Sequence, residues 1–127
     1  NEGVWNRQRA FPAPVIRAHF GDELEIHVTN LLHDQPTSIH FHGLHMYKNV
    51  WMDGVAMITQ CPIYPGDTFT YKFNLTQTGT FWYHSHSHQQ YADGLIGPLI
   101  IDPRRGEEDP IRLRYPYDER SDQVIMI

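Results

Sequence analysis

Short stretches in which apolar and polar residues alternate, each ended by glycine or proline, recur along this chain and restrict how it can fold. Leu24, Ile26 and Val28 alternate with polar neighbours, and three aromatic residues occupy every second position between Thr68 and Phe73. A period of two is typical of a strand with one buried face, because successive side chains on a strand point to opposite sides. Further candidate strands are 38–42, 80–86 and 99–101.

Turn residues separate these strands, and no run of ten residues shows a helical period. The turn sequences include Pro65-Gly66-Asp67, Thr78-Gly79 and Asp93-Gly94. Proline presets a turn conformation, and glycine permits backbone angles that other residues avoid. Many short strands between such turns predict an all-β protein, an antiparallel β-sandwich or barrel with Greek-key connections.

The character of the sequence changes near its end, and this change predicts the domain organisation. Residues 1–102 hold the candidate strands, whereas 103–122 are crowded with charged residues and prolines, a composition typical of a linker. The apolar residues that follow resemble the opening of a strand whose partners lie elsewhere. We therefore expect 123–127 to begin a second, truncated domain, and the chain to be a segment of a larger protein or one chain of a nicked one.

Charge and hydropathy exclude some classes of partner. Ten Lys and Arg residues against fifteen Asp and Glu residues give a net charge of −5. This balance lacks the basic surface expected of a protein that binds nucleic acid or an anionic membrane. No apolar run approaches the roughly 20 residues that a membrane-spanning helix needs.

Two histidine pairs carry the strongest chemical signal in the sequence. His40 and His42 lie in one candidate strand, and His84 and His86 lie in another. Residues two apart on a strand share a face, roughly 6.5 to 7 Å apart. A single strand histidine is more often a hydrogen-bonded structural residue, but two such pairs are hard to explain that way, since each buried imidazole needs its own polar partner. If the two strands are neighbours, four imidazoles converge on a metal site.

The ligand type limits the metal. Imidazole suits copper, zinc, iron and nickel, whereas calcium and magnesium prefer oxygen. A blue-copper site also needs a cysteine thiolate, and Cys61 is a poor candidate because it lies between Gln60 and Pro62 with no histidine close by in the sequence. The sequence allows two interpretations of Cys61: it forms a disulfide with a segment outside this chain, or it is a small buried apolar residue.

Several motifs together resemble one family of enzymes. They are HFHGLH at 40–45, MDG at 52–54, TQCPI at 59–63 and GTFWYHSH at 79–86. From Phe11 to Asp102 the chain resembles the first cupredoxin domain of the multicopper oxidases, which include laccases and ferroxidases. The resemblance implies a cupredoxin-like Greek-key fold and a larger enzyme of three such domains, in which part of the first sheet precedes Asn1.

The resemblance also implies an activity and its partners. Such enzymes oxidise phenols, aromatic amines or Fe²⁺ one electron at a time at a blue copper, and reduce O₂ to water at a trinuclear copper cluster between the first and last domains. The expected partners are therefore the remaining cupredoxin domains, O₂ and a small phenolic, amine or ferrous substrate. A rival interpretation is a non-catalytic copper-binding cupredoxin module within a larger assembly.

The family's site residues can be placed on this sequence by motif. His40 resembles the ligand of the type 2 copper, while His42, His84 and His86 resemble ligands of the type 3 pair. The other half of the cluster ligands and the blue-copper site belong to a domain that this sequence lacks. Asp53 matches an acidic residue associated with proton delivery for O₂ reduction; it is equally well explained as an ordinary turn residue before a glycine.

Two further features favour an extracellular protein. Asn74-Leu75-Thr76 is an acceptor sequence for N-glycosylation. By resemblance, Cys61 matches a position that forms a disulfide with a distant segment, and disulfides persist in oxidising compartments. We therefore expect a secreted, glycosylated protein in which Cys61 pairs with a cysteine outside residues 1–127.

Overall fold

Strands form the framework of the molecule, as the alternating pattern predicts. The computed structural model describes residues 12–117 and 124–126. Five of the strands coincide with the candidate segments, and the first, a four-residue strand too short to show a pattern, was not predicted. In chain order the strands are β1 (Ile16–His19), β2 (Glu23–Thr29), β3 (Ile39–His42), β4 (Thr68–Asn74), β5 (Gly79–Ser85) and β6 (Ile96–Asp102).

The strands form two sheets. The larger has the order β1-β6-β5-β3, and the smaller pairs β2 with β4. Most pairs are antiparallel, but β1 and β6 are parallel, with Ile16 opposite Leu99. The expectation of antiparallel pairing throughout was therefore wrong at this edge. A parallel pair needs a long connection, and here nearly the whole domain lies between the two strands.

An aromatic core joins the two sheets. Phe41 of β3 is fully buried, and its ring centroid lies 5.3 Å from that of Tyr71 and 4.8 Å from that of Phe73, both on β4. The Tyr71 hydroxyl accepts a hydrogen bond from the Ile39 N–H at 2.9 Å. These contacts between the sheets confirm the all-β sandwich.

Burial of the core residues decides which way the histidines point. Phe41 lies between His40 and His42 in the sequence, and Tyr83, also buried, precedes His84. Because side chains alternate along a strand, turning Phe41 and Tyr83 into the core turns these histidines to the opposite face of the sheet. The core and the histidine site thus lie on opposite faces of the same strands.

The segment after β6 contains a short helix, α1 (Pro110–Arg114). Asp109 caps its start, since its carboxylate accepts the Ile111 N–H at 2.8 Å. This helix lies within the expected linker 103–122, of which 118–122 are outside the described residues. Residues 124–126 are not part of a strand. Residues 123 and 127, which belong to the expected start of the second domain, are outside the described residues. Residues 1–11 are outside them as well.

Candidate metal centre

The two strands that carry the histidine pairs lie side by side, as the metal-site hypothesis requires. β3 and β5 pair antiparallel, with His40 directly opposite His84 and His42 opposite Trp82. Facing residues on adjacent antiparallel strands have their Cβ atoms about 4.5 to 5.5 Å apart. The register therefore brings residues that are more than forty positions apart in the sequence onto one small patch of the sheet.

All four predicted histidines meet on this patch. The His40 ring centroid lies 5.3 Å from those of His42 and His84, and 5.5 Å from that of His86. The candidate ligand atoms of His40, His42 and His84 all lie within 4.8 Å of one another. His86 follows the end of β5, with its ring 6.1 Å from that of His84. The structure thus groups three imidazoles tightly and places the fourth beside them.

His40 is oriented by the turn that contains Asp53. Its Nδ1 lies 2.6 Å from the backbone carbonyl oxygen of Asp53. A carbonyl oxygen can only accept, so Nδ1 carries the proton, and Nε2 of the neutral ring is left with a free lone pair. A hydrogen bond from the far ring nitrogen to a carbonyl is the usual arrangement for a histidine that binds metal.

His84 has the same arrangement and is the most buried of the four. Its Nδ1 donates to the Ser85 carbonyl oxygen at 2.8 Å, so the lone pair is on Nε2, which lies 3.3 Å from Nδ1 of His42. Burial lowers the pKa of His84, and the neighbouring His40, His42 and His86 lower it further. A lowered pKa keeps the ring neutral at physiological pH, and only a neutral imidazole has a lone pair for a metal.

Trp82 packs against two of the four rings. It lies on the same face of β5 as His84, and its indole stacks on His84 at 4.2 Å and on His42 at 4.8 Å, with interplanar angles of 25° and 22°. Stacking of this kind limits the rotation of both imidazoles. This role of Trp82 was not predicted from the sequence, although its position two residues before His84 places both side chains on one face of the strand.

A glycine fixes the turn that carries Asp53. Gly54 has φ +81°, and a Cβ built on it would lie 1.7 Å from the Ile39 carbonyl oxygen of β3. Only glycine allows the turn to lie this close to the strand. The Asp53 carboxylate is consequently held beside the cluster, with Oδ1 3.4 Å from Nδ1 of His40.

A buried polar network lies behind the histidines. The Gln90 side chain is hydrogen-bonded to Thr37, to Ser85 and to the Pro36 carbonyl oxygen. Nothing in the spacing of these residues along the sequence signals that they meet, and the sequence analysis did not single them out.

Two other predicted features lie on the surface. Cys61 is an exposed free thiol within the described part of the chain, so the interpretation as a small buried apolar residue is wrong. Asn74 is the last residue of β4, and its side chain is exposed. Both side chains are therefore open to modification.

The site's donors fit a transition metal. They are imidazole nitrogens, and Nδ1 of His42 lies 3.3 Å from Nε2 of His84, which is about the separation of two nitrogens bound to one ion at roughly 2.0 Å. Copper, zinc, iron and nickel all accept such donors. The fold and site together define a β-sandwich protein with a candidate metal site, whose imidazoles come from one face of two neighbouring strands.

Comparison with known proteins identifies the family. The multicopper oxidase family model matches residues 1–106. Laccase-2 of Botryotinia fuckeliana is 60% identical over 91 residues, covering 72% of this chain. The iron transport multicopper oxidase FET3 of Gibberella zeae is 43% identical over 117 residues, covering 92% of this chain. The chain belongs to the multicopper oxidase family, which confirms the resemblance seen in the motifs.

A solved structure supports the same conclusion. The crystal structure of the laccase from Botrytis aclada superposes on this chain with a TM-score of 0.72 at 58% sequence identity, over 73% of this chain and 17% of that one. The cupredoxin-like fold is thereby confirmed, and copper is the metal that this family uses.

The chain spans 16% of the length of the Botryotinia laccase and 17% of the Gibberella protein. Among the described residues, no helix is long and apolar enough to cross a membrane.

Proposed function

We propose that this chain is the cluster-binding part of a laccase-like multicopper oxidase. The whole protein would oxidise phenols, aromatic amines or Fe²⁺ one electron at a time and reduce O₂ to water. The observation that carries the proposal is the convergence of His40, His42 and His84, whose ligand atoms lie within 4.8 Å of one another on one sheet face. Similarity to both a laccase and an iron transport oxidase supports the range of substrates.

Each histidine has a proposed role in holding copper. His40 binds the type 2 ion, and His42, His84 and His86 bind the type 3 pair. When bound, copper supplies the redox chemistry, the uptake of single electrons and the reduction of O₂. The close approach of His42 and His84 supports a shared ion for these two residues, and the more distant ring of His86 suits an adjacent one. The remaining cluster ligands and the blue-copper site come from another domain.

Asp53 has the proposed task of delivering protons to the cluster. Its side chain is 29% exposed, and its Oδ1 lies 3.4 Å from Nδ1 of His40. A group in this position can take a proton from water and hold it at a carboxylate oxygen beside the site of O₂ reduction. The alternative of an ordinary turn residue explains the backbone conformation but not the position of the carboxylate next to Nδ1 of His40.

The proposed organisation of the whole protein follows the sequence analysis. Residues 1–102 form the first cupredoxin domain, 103–122 connect it to the next, and 123–127 begin the second. The end of β6 at Asp102 supports the first boundary. The other cupredoxin domains are the partners of this one, because half of a cluster cannot carry out the reaction.

The proposed location is extracellular. The exposed Asn74 side chain supports glycosylation of the Asn74-Leu75-Thr76 acceptor sequence, and the exposed Cys61 thiol supports a disulfide with a cysteine outside this chain. Both modifications occur in the secretory pathway.

The test is the mass and metal content of the native protein. We expect a species several times the 14.9 kDa mass of this chain, carrying several copper ions, with the blue absorbance of a copper–thiolate site and consumption of O₂ on addition of a phenol or Fe²⁺. A native protein of this chain's own size that binds copper but consumes no O₂ would instead establish the rival interpretation, a non-catalytic copper-binding module.

A further inference from the structure

Gln90 is a buried amide at the point where the two histidine-bearing strands approach each other. It lies in the turn after His86 and is only 7% exposed. Its Oε1 accepts hydrogen bonds from the Thr37 hydroxyl at 2.8 Å and from the Ser85 hydroxyl at 2.6 Å. Its Nε2 donates to the Pro36 carbonyl oxygen at 3.0 Å. The amide therefore uses its acceptor and its donor towards both strands at once.

The partners of Gln90 lie next to the proposed copper ligands. Thr37 leads into β3 and is three positions before His40, while Ser85 lies between His84 and His86 at the end of β5. The Gln90 side chain thus connects the start of the first histidine segment to the middle of the second.

This connection matters because β3 is an edge strand. In the four-stranded sheet β3 has only β5 as a neighbour, and the ladder between them ends at the Ile39–Ser85 pair. Beyond that pair, the His86 N–H donates to the Ser38 carbonyl oxygen at 3.0 Å, and the Gln90 network continues the link. His86 follows the end of β5, so its position depends on these contacts.

The network is well satisfied and buried. Thr37 is 3% exposed and Ser85 is 1% exposed, and the Ser87 hydroxyl adds a bond to the Pro36 carbonyl oxygen at 3.0 Å. In a low-dielectric interior a complete network of this kind selects one arrangement, because any shift leaves a buried polar group without a partner. Its effect is to fix the distance between the two histidine segments.

We propose that Gln90 is a positioning residue for the copper cluster: it holds His84 and His86 at the correct distance from His40 and His42. The proposal rests on the proposed function, since it requires these four residues to hold copper. Gln90 itself does not touch the metal. It acts through Ser85 and Thr37, whose backbones carry or adjoin the ligands.

The experiment compares Gln90→Leu with Gln89→Leu in the intact protein that contains this segment. Leucine keeps the approximate volume of glutamine and removes every polar contact, and Gln89 is its exposed neighbour in the same turn. We expect Gln90→Leu to lower copper retention against a chelator by about tenfold or more, the usual effect of losing a residue that orients metal ligands. The paramagnetic resonance spectrum of the type 2 copper should also change, whereas Gln89→Leu should match the wild type in both.

Two further variants separate the possible failures. His84→Ala tests the proposed function: if it leaves copper content unchanged, the ligand assignment fails. If His84→Ala loses copper while Gln90→Leu folds and keeps wild-type retention and spectrum, the positioning role is overturned. Should Gln90→Leu not fold, Thr37→Val decides in the same way, because it removes the Thr37 hydroxyl contacts with Gln90 and Ser85 and leaves the bonds from Gln90 to Ser85 and Pro36 in place. Lower copper retention in that variant supports the proposal, and wild-type retention contradicts it.

Discussion

Nδ1 of His42 lies 3.3 Å from Nε2 of His84 across the β3–β5 pair. Neither residue is placed by a loop. Their approach results from the strand register, which sets His40 opposite His84 and His42 opposite Trp82. It also depends on the burial of Phe41 on the other face of β3. A metal centre built on paired strands is preorganised by the core of the domain, so that changes in the ligands and changes in the core can be tested separately.

Replacing His84 by alanine in the intact protein should remove copper from the cluster and abolish O₂ reduction while leaving the blue absorbance unchanged. The reason is that His84 lies among the four histidines of the candidate site, whereas the proposed blue-copper site belongs to another domain. Copper content, visible absorbance and O₂ consumption are the measurements, with the exposed His33 replaced by alanine as the matched control. Loss of the blue band with cluster copper retained would contradict the assignment.

Trp82→Ala should weaken copper binding although Trp82 is not a ligand. Its indole stacks on both His42 and His84, and each aromatic contact is worth about 0.5 to 1.5 kcal/mol. Loss of both, about 1 to 3 kcal/mol, should lower copper affinity by at least about fivefold, since about 1.4 kcal/mol corresponds to a factor of ten. Chelator competition measures the change.

Trp82→Phe should recover most of the affinity, because a smaller ring still stacks. Trp51→Ala is the control, since Trp51 is 64% exposed and lies outside the cluster. Equal affinities for Trp82→Ala and the wild type would show that the stacking has no part in holding the imidazoles.

Features that depend on neighbouring residues could be predicted from the sequence, whereas contacts between residues far apart in the sequence could not. The alternation in β2 and β4 and the His-x-His spacing are local, so they predicted strands and a shared face correctly. The parallel pairing of β1 with β6 and the bonds from Gln90 to Thr37 join residues that are far apart in the sequence. Such contacts arise only when the sheets assemble, and no period along the chain signals them.

Gly54→Ala should destabilise the domain far more than Gly66→Ala. Both glycines have positive φ, +81° and +89°, so alanine is strained by about 1 to 2 kcal/mol at either position. At Gly66 nothing lies within 4 Å of the added Cβ, whereas at Gly54 the Cβ would lie 1.7 Å from the Ile39 carbonyl oxygen. The turn must therefore move away from β3, and the Asp53 carbonyl must leave His40.

Thermal unfolding and copper content of the two variants provide the test. We expect a lower unfolding temperature and reduced type 2 copper for Gly54→Ala, and a modest stability loss with full copper for Gly66→Ala. Similar behaviour of the two variants would mean that the close contact between the turn and β3 is unimportant for the site.

Cys61 should form a disulfide with a cysteine outside residues 1–127. Its thiol is exposed, so it is available to a partner, and an exposed thiol in an oxidising compartment rarely stays reduced. The bond would also tie this domain to the rest of the protein if the chain were cut between 103 and 122. Alkylation of the denatured, unreduced native protein, followed by peptide mass spectrometry, identifies the partner peptide. A fully alkylated Cys61 in that experiment would rule out the disulfide and remove one of the two arguments for an extracellular location.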